Sequence, residues 1–495
     1  VTTLSVAEAR LAALETTANL AWWEMSCNAT DDASAAAEAA SAAYEHALAE
    51  PAIAAAAVAV DGSPLEQRRA EVLRLMTAGR QRPPELIDRI VGLETELMAA
   101  HSRYRTTVDG RELDAAAVDR ILGESTDLAE RQSVWTGARR VGGEVAGGLR
   151  ELAHLRNEAA RAAGYRDHYA MALALDELDE NRLFGTFDAL HAALAPAWGS
   201  ERAAIEVQRR AALGLTPDAL FQPWHMIDVF GQDAPSVGAD PLEPVIGDVD
   251  ALAASTRYFA DLGHDVTGVL ARSDVLPRPG KDQHAFMMHV DRRGDVRVLM
   301  NLVPTVRWLE TTLHELGHAI YELSLDTDLP WLLRDPAHIL TTEAMAMLHG
   351  RRGRDPEFLE RLAAWVQVMT RFERALYAEP DGDLDMIWWD LVEQYQGIPR
   401  PLAPVPNAWA SKIHLAVAPC YYHNYLLGEI LASQVEEWTE RETGAGSPAA
   451  NPAAVGPLIS ERLLRPGASL RWDRLVEQAT GTPLGIDAFV RDASG

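Results

Sequence analysis

The 495-residue sequence carries 45 basic and 73 acidic side chains, a formal net charge of −28, with 48% hydrophobic and 24% charged residues. These are the proportions of a water-soluble globular protein, long enough for two or three ordinary domains or for one large enzyme. The negative charge repels phosphate backbones and anionic lipid, so neither nucleic acid nor a membrane is expected as a partner.

Two cysteines, Cys27 and Cys420, are too few for a disulfide framework and are not spaced as a metal knuckle. The first residues, "VTTLSVAEARLAALE", show no basic start followed by an apolar run, so a cytoplasmic location is expected, with a trimmed leader left open by the initial valine. Lys281 and Lys412 are the only lysines, so a lysine at a motif position carries weight.

From about residue 4 to 225, apolar residues fall three and four apart with charges between, which predicts helices almost throughout. The "IAAAAVAV" run at 53–60 is too short to span a bilayer. Irregular connections are predicted at 231–244 and 276–283. "HAFMMHVDRRGDVRVLMNL" (284–302) follows, two apolar and β-branched runs around a charged turn, which reads as a hairpin. Helical patterns then resume, interrupted by a loop at 443–457. The expected fold is mostly α, with a small antiparallel β-sheet beside the presumed site.

That site is marked by "TTLHELGHAIYE" (311–322). Residues four apart share a helix face, so His314 and His318 can direct imidazole nitrogens at one ion, with Glu315 beside them as a proton acceptor. The bland alternative is a half-exposed helix carrying three polar residues. Flanking Leu313, Leu316 and Ile320 instead imply an interior helix, where two adjacent histidines need partners. A catalytic zinc needs a third protein ligand. Tyr321 and Ser324 stand where the metzincin pattern has its Gly and third His, and Glu322 is two turns from His314. The better candidate is Glu343 in "LTTEAMAMLHG", on a separate helical segment beyond a Pro-containing connection. "DGDLD" (381–385) resembles a cation loop but lacks the remaining ligands, and a solvated turn is expected there.

At this point the sequence resembles the angiotensin-converting-enzyme-like peptidyl-dipeptidases, and more distantly the thimet-oligopeptidase-like enzymes. The likeness is weak but collinear around "LAWWEMSCNAT" and "LRNEAARAAGYRDHYAMAL", and strong from about 284 to 440. It implies one zinc ion held by His314, His318 and Glu343, with Glu315 as general base. His284 and Ala285 match a pair on an edge strand that binds the substrate backbone. "WWDLVEQYQGI" is similar to a family signature, followed by Lys412 and His414 and then Tyr422 and Tyr425.

By this resemblance Tyr425 and His414 stabilise the oxyanion, while Lys412 and Tyr422 hold a substrate carboxylate. It further implies a single catalytic unit over 1–495. Helices within 1–225 would include a cleft lid, and 284–440 would hold zinc and substrate. The expected substrate is an oligopeptide that loses C-terminal dipeptides. Internal cleavage, a non-peptide amide substrate, or an inactive binding homologue are the alternatives.

Three departures from the family stand out. One extra residue separates His414 from the tyrosine pair, so Tyr421 competes with Tyr422 for the carboxylate. Met347 replaces an aspartate that orients a zinc histidine, and Asn424 replaces a chloride-binding arginine. The family's carboxylate-binding glutamine has no evident counterpart, and nothing in the sequence sets the oligomeric state.

Overall fold

The periodic N-terminal sequence folds into helices whose starts are fixed by side-chain caps. In a computed structural model of the protein, which describes residues 3–58, 62–233, 242, 244–282, 284–351 and 356–494, Thr3 caps Leu4–Cys27 and Thr30 caps Asp31–Ala49. Ser63, Asp114, Asp127 and Asp179 do the same for Pro64–Ala78, Ala115–Glu124, Leu128–Arg139 and Glu180–Ala212. Each cap oxygen accepts a backbone N–H that has no partner within its own helix. The expected mostly-α architecture is what forms, and no helix among the described residues is long and apolar enough to cross a membrane.

Two small antiparallel sheets interrupt the helices. One had not been expected. Thr106–Val108 pairs with Arg111–Leu113 across Asp109 and Gly110, both at positive φ. "VDG" is a tight-turn signal, since Asp and Gly tolerate left-handed backbone, but strands of three residues are too short for a visible alternation. The expected hairpin also forms, as Phe286–His289 against Val296–Leu299, with Phe286 opposite Leu299. The far edge of Val296–Leu299 is met by Asp274, so Phe286–His289 is an edge strand among the described residues.

Most of the 231–244 connection and Gln283 lie outside the described residues. The connection before the hairpin is tied down by Lys281, which is buried. Its ammonium donates to the Asp274 carbonyl and carboxylate and the Leu276 carbonyl, each at 2.9 Å, and to the Met300 carbonyl. The predicted 443–457 loop is shorter than expected: Pro452–Ile459 is helical, started by Pro452 and anchored by buried Val455 and Ile459.

The largest apolar cluster joins distant parts of the chain, among them Trp135, Leu152, Phe187, Met369, Trp388, Trp409, Leu426 and Phe489. A second cluster packs the first helices on Trp331 and Leu332. A third sets Leu316, Ala319 and Ile320 against hairpin residues Val296, Val298 and Met300. The HELGH helix, Val306–Ser324, is thus interior, as its flanking apolar residues imply.

Candidate metal centre

Three helices converge at the site: Val306–Ser324, Ile339–Gly350 and His423–Thr443. Glycines let them approach. A Cβ at Gly317 would lie 2.8 Å from Ala346 Cα, and one at Gly428 would lie 2.8 Å from Glu343 Cβ. The second helix begins at His338, whose Nδ1 accepts the Leu340 N–H at 2.9 Å, so this histidine serves as a cap.

The His314 and His318 rings stand 4.9 Å apart and nearly perpendicular. Nε2 of each lies 3.9 Å from Glu343 Oε2. Among the described residues, these three form a group of ligand atoms close enough to hold a metal ion, all within 4.8 Å of one another. Glu343 Oε2 is buried and has no hydrogen-bond partner among the described residues. A buried carboxylate oxygen facing two imidazole nitrogens, with no proton donor of its own, is an unsatisfied acceptor that a divalent cation would satisfy. The donor set therefore fits a metal.

Electrostatics agree with the geometry. Burial pushes His314 down to about 4 and His318 well below its ordinary value, the latter also through His314, so both are neutral with free lone pairs. Burial raises Glu343 to about 7, against the pull of the Tyr421 hydroxyl. Glu315 is pushed up to about 8 by burial and then by the charge of Glu343, while the Met287 N–H on the neighbouring strand acts in the opposite direction.

Two contacts to the triad are not legible in the sequence: Thr342, which no motif singles out, and Tyr421, expected at a substrate carboxylate. The Thr342 hydroxyl meets His318 Nδ1 at 2.7 Å, leaving Nε2 turned toward Glu343. Met347, at the place of the family's aspartate, packs against the main core instead. Tyr421 donates to Glu343 Oε1. Tyr421 thus contacts the Glu343 carboxylate, while the Tyr422 ring lies 5.6 Å from the Lys412 ammonium.

Ring contacts continue from Tyr421 toward Lys412. Tyr425 lies 5.2 Å from Tyr421 and 5.4 Å from Tyr422, and Tyr422 lies 4.9 Å from His414. The Tyr422 hydroxyl accepts the Trp365 indole N–H at 3.2 Å, keeping its own proton for another acceptor. Lys412 is buried among aromatic faces, its ammonium 4.5 Å from the Phe230 ring and 5.3 Å from that of Trp365. It also donates to Gln232 Oε1 at 3.4 Å. No periodic element contains Gln232, so only the folded chain reveals this neighbour.

His414 is pushed down to about 3, chiefly by burial and then by Lys412 and His284, and its Nδ1 is buried without a hydrogen-bond partner among the described residues. The His284 side chain itself is 75% exposed beside Asp282, and Ala285 packs against the hairpin cluster.

Several polar residues stand apart. Glu322 pairs with His289 at 2.8 Å, away from the triad. Asp383 caps the helix Leu384–Leu391, Asp385 accepts the Asn407 N–H, and Asp381 meets His154, so "DGDLD" gathers no ion site. Asn424 is buried with neither amide atom hydrogen-bonded among the described residues.

Comparison with known proteins follows the same line. Residues 2–205 match the family model described as "Peptidase_M2: Angiotensin-converting enzyme". That stretch is the N-terminal part, where the motif likeness is fainter, and it contains none of the triad. A curated relative named "Angiotensin-converting enzyme", from Theromyzon tessulatum, is 21% identical over 427 residues, covering 73% of this chain and 68% of the relative. The chain thus combines a histidine–histidine–glutamate triad in its interior with a likeness to angiotensin-converting enzyme, by family model over residues 2–205 and at 21% identity over 427 residues.

Proposed function

We propose that this chain is a zinc-dependent metallopeptidase that hydrolyses oligopeptides and releases C-terminal dipeptides. The observation that carries the reading is the bare Glu343 Oε2, 3.9 Å from Nε2 of both His314 and His318. Two neutral imidazoles and one carboxylate are the ligand set of many catalytic zinc sites, which keep a further position open. Zinc bound there supplies Lewis acidity toward water and the scissile carbonyl.

The remaining work falls to the chain. Glu315, held near neutral pH by its burial, takes a proton from the attacking water and gives it to the leaving amine. Tyr425, kept protonated by burial, and neutral His414 donate toward the developing oxyanion. Lys412, flanked by Gln232 and Tyr422, offers charge and hydrogen bonds to a free C-terminal carboxylate. The edge strand entered through His284 and Ala285 presents backbone groups to the peptide. Helices of the N-terminal part would roof the cleft and keep out folded proteins, within a single catalytic unit.

An unblocked decapeptide and its C-terminally amidated twin, followed by mass spectrometry with and without chelator, test this reading. Stepwise loss of two residues from the free peptide, stopped by chelation and resisted by the amide, is expected. Equal rates on both peptides would remove the carboxylate clamp and favour internal cleavage. Glu315→Gln should abolish turnover while zinc stays bound.

A further inference from the structure

The segment that joins His414 to the tyrosines passes through a left-handed turn. Cys420 has φ +57° and is buried immediately before Tyr421. A residue with a Cβ pays about 1 kcal/mol for this conformation and keeps it only where the surroundings impose it.

The surroundings here are two buried charged residues. Glu373 Oε1 accepts the Cys420 N–H at 2.6 Å. Arg156 donates to the Leu415 carbonyl at 3.1 Å and to the Ala416 carbonyl at 2.7 Å, within the four-residue helix His414–Val417. Helix-end carbonyls lack partners of their own, so a guanidinium from another helix satisfies them. Arg156 is in turn held by the Tyr377 hydroxyl at 2.8 Å and by Glu94 at 2.7 Å. Tyr377 and Glu373 lie one turn apart on the helix Pro356–Ala378, so a single helix face supports both grips. Asn157, next to Arg156, ties the same helix by donating to the Tyr377 carbonyl at 2.8 Å.

We propose that Arg156 and Glu373 are positioning residues for the metal centre: by gripping both ends of the 414–420 segment they impose the left-handed turn at Cys420 and deliver the Tyr421 hydroxyl to Glu343. The inference rests on the reading of His314, His318 and Glu343 as zinc ligands. It gives the "LRNEAARAAG" stretch a purpose remote from the metal, since Arg156 and Asn157 come from it.

Zinc affinity of the full chain, measured by competition with a chromogenic chelator and without peptide, tests it. Cys420→Gly, which accepts positive φ, and Glu373→Gln, which keeps an acceptor oxygen, should bind zinc within about threefold of the parent. Cys420→Val, Glu373→Ala and Tyr421→Phe should each weaken binding about 10–100-fold. The Glu373→Ala/Tyr421→Phe double variant should be no weaker than Tyr421→Phe alone, because both changes remove one contact. Should Glu373→Ala not fold, Cys420→Val combined with Tyr421→Phe gives the same cycle.

Additive losses in the double variant, or equal losses for Cys420→Gly and Cys420→Val, would overturn the inference and leave the hydrolytic reading intact. Conversely, a chain that binds zinc with this pattern but cleaves no peptide would keep the inference and lose the proposed activity. A parent chain that binds no zinc overturns both.

Discussion

Thr342 shows how much of the site depends on a single hydroxyl. A histidine that binds metal through Nε2 must carry its proton on Nδ1, and the Thr342 oxygen, 2.7 Å from His318 Nδ1, is placed to accept a hydrogen bond from it. Thr342→Val keeps the shape and removes the acceptor. The expected result is a zinc affinity about 10–100-fold weaker, with an unchanged far-ultraviolet circular dichroism spectrum; chelator competition measures it, and parental affinity would mean Thr342 does not orient His318. Chemical reactivity follows the same local logic at Cys27. Burial, and then its hydrogen bond to Asp274, pushes the thiol up to about 11. Only the thiolate reacts, so at pH 8 roughly one molecule in a thousand is competent. Iodoacetamide should leave Cys27 unmodified in the native protein and label it in denaturant. Neither role is legible in the sequence. His314, Glu315 and His318 can be read because their relation is fixed by one helical turn, whereas Thr342 meets His318 only through the rotation of a second helix.

At the scale of elements, the closeness of helices rather than their existence decides the site. Gly317 lies where a side chain would strike the Ala346 backbone of the facing helix. Gly317→Ala should therefore cost about 1–3 kcal/mol of stability and weaken zinc binding by pushing Glu343 away from the histidines. Gly143, in the helix Val141–Ala162, has open space around it, and Gly143→Ala should add about 0.5–1 kcal/mol through helix propensity. Opposite shifts in thermal midpoint are the expected outcome; a neutral Gly317→Ala would show that the helices have room to spare. The hairpin at 284–302 is legible because two four-residue runs, one of Phe and Met and one with alternating Val, flank a charged turn. The one at 106–113 offers only its Asp-Gly turn, and its strands pair through three residues each. Gln232 is the extreme case: it sits in an irregular segment where no periodicity speaks, and its link to Lys412 spans 180 positions.

Across the whole molecule, the first helices have an apolar cluster of their own, and buried ion pairs supplement its packing on Trp331 and Leu332. Arg292, in the hairpin turn at φ +53°, is central to these pairs. Its guanidinium donates to both oxygens of Glu15 at 2.9 and 2.8 Å, lies 3.1 Å from Asp335, and covers the Trp331 ring at 4.4 Å. Tyr44, on the second helix, donates to the same Glu15 at 3.1 Å. The helices of 4–49 are thereby fastened to the hairpin that borders the metal helix. Arg292→Met would leave the Glu15 carboxylate, 13% exposed, without its cation. Removing one partner of a buried pair costs about 3–5 kcal/mol, whereas removing both costs far less. The variant should thus melt lower and be cut by protease within its first helices before elsewhere, and adding Glu15→Gln should restore much of the loss. Because the pair is shielded from water, moderate salt should not reproduce the effect in the parent protein. A parental melting temperature and cleavage pattern for Arg292→Met would mean that apolar packing on Trp331 and Leu332 alone holds the N-terminal helices in place.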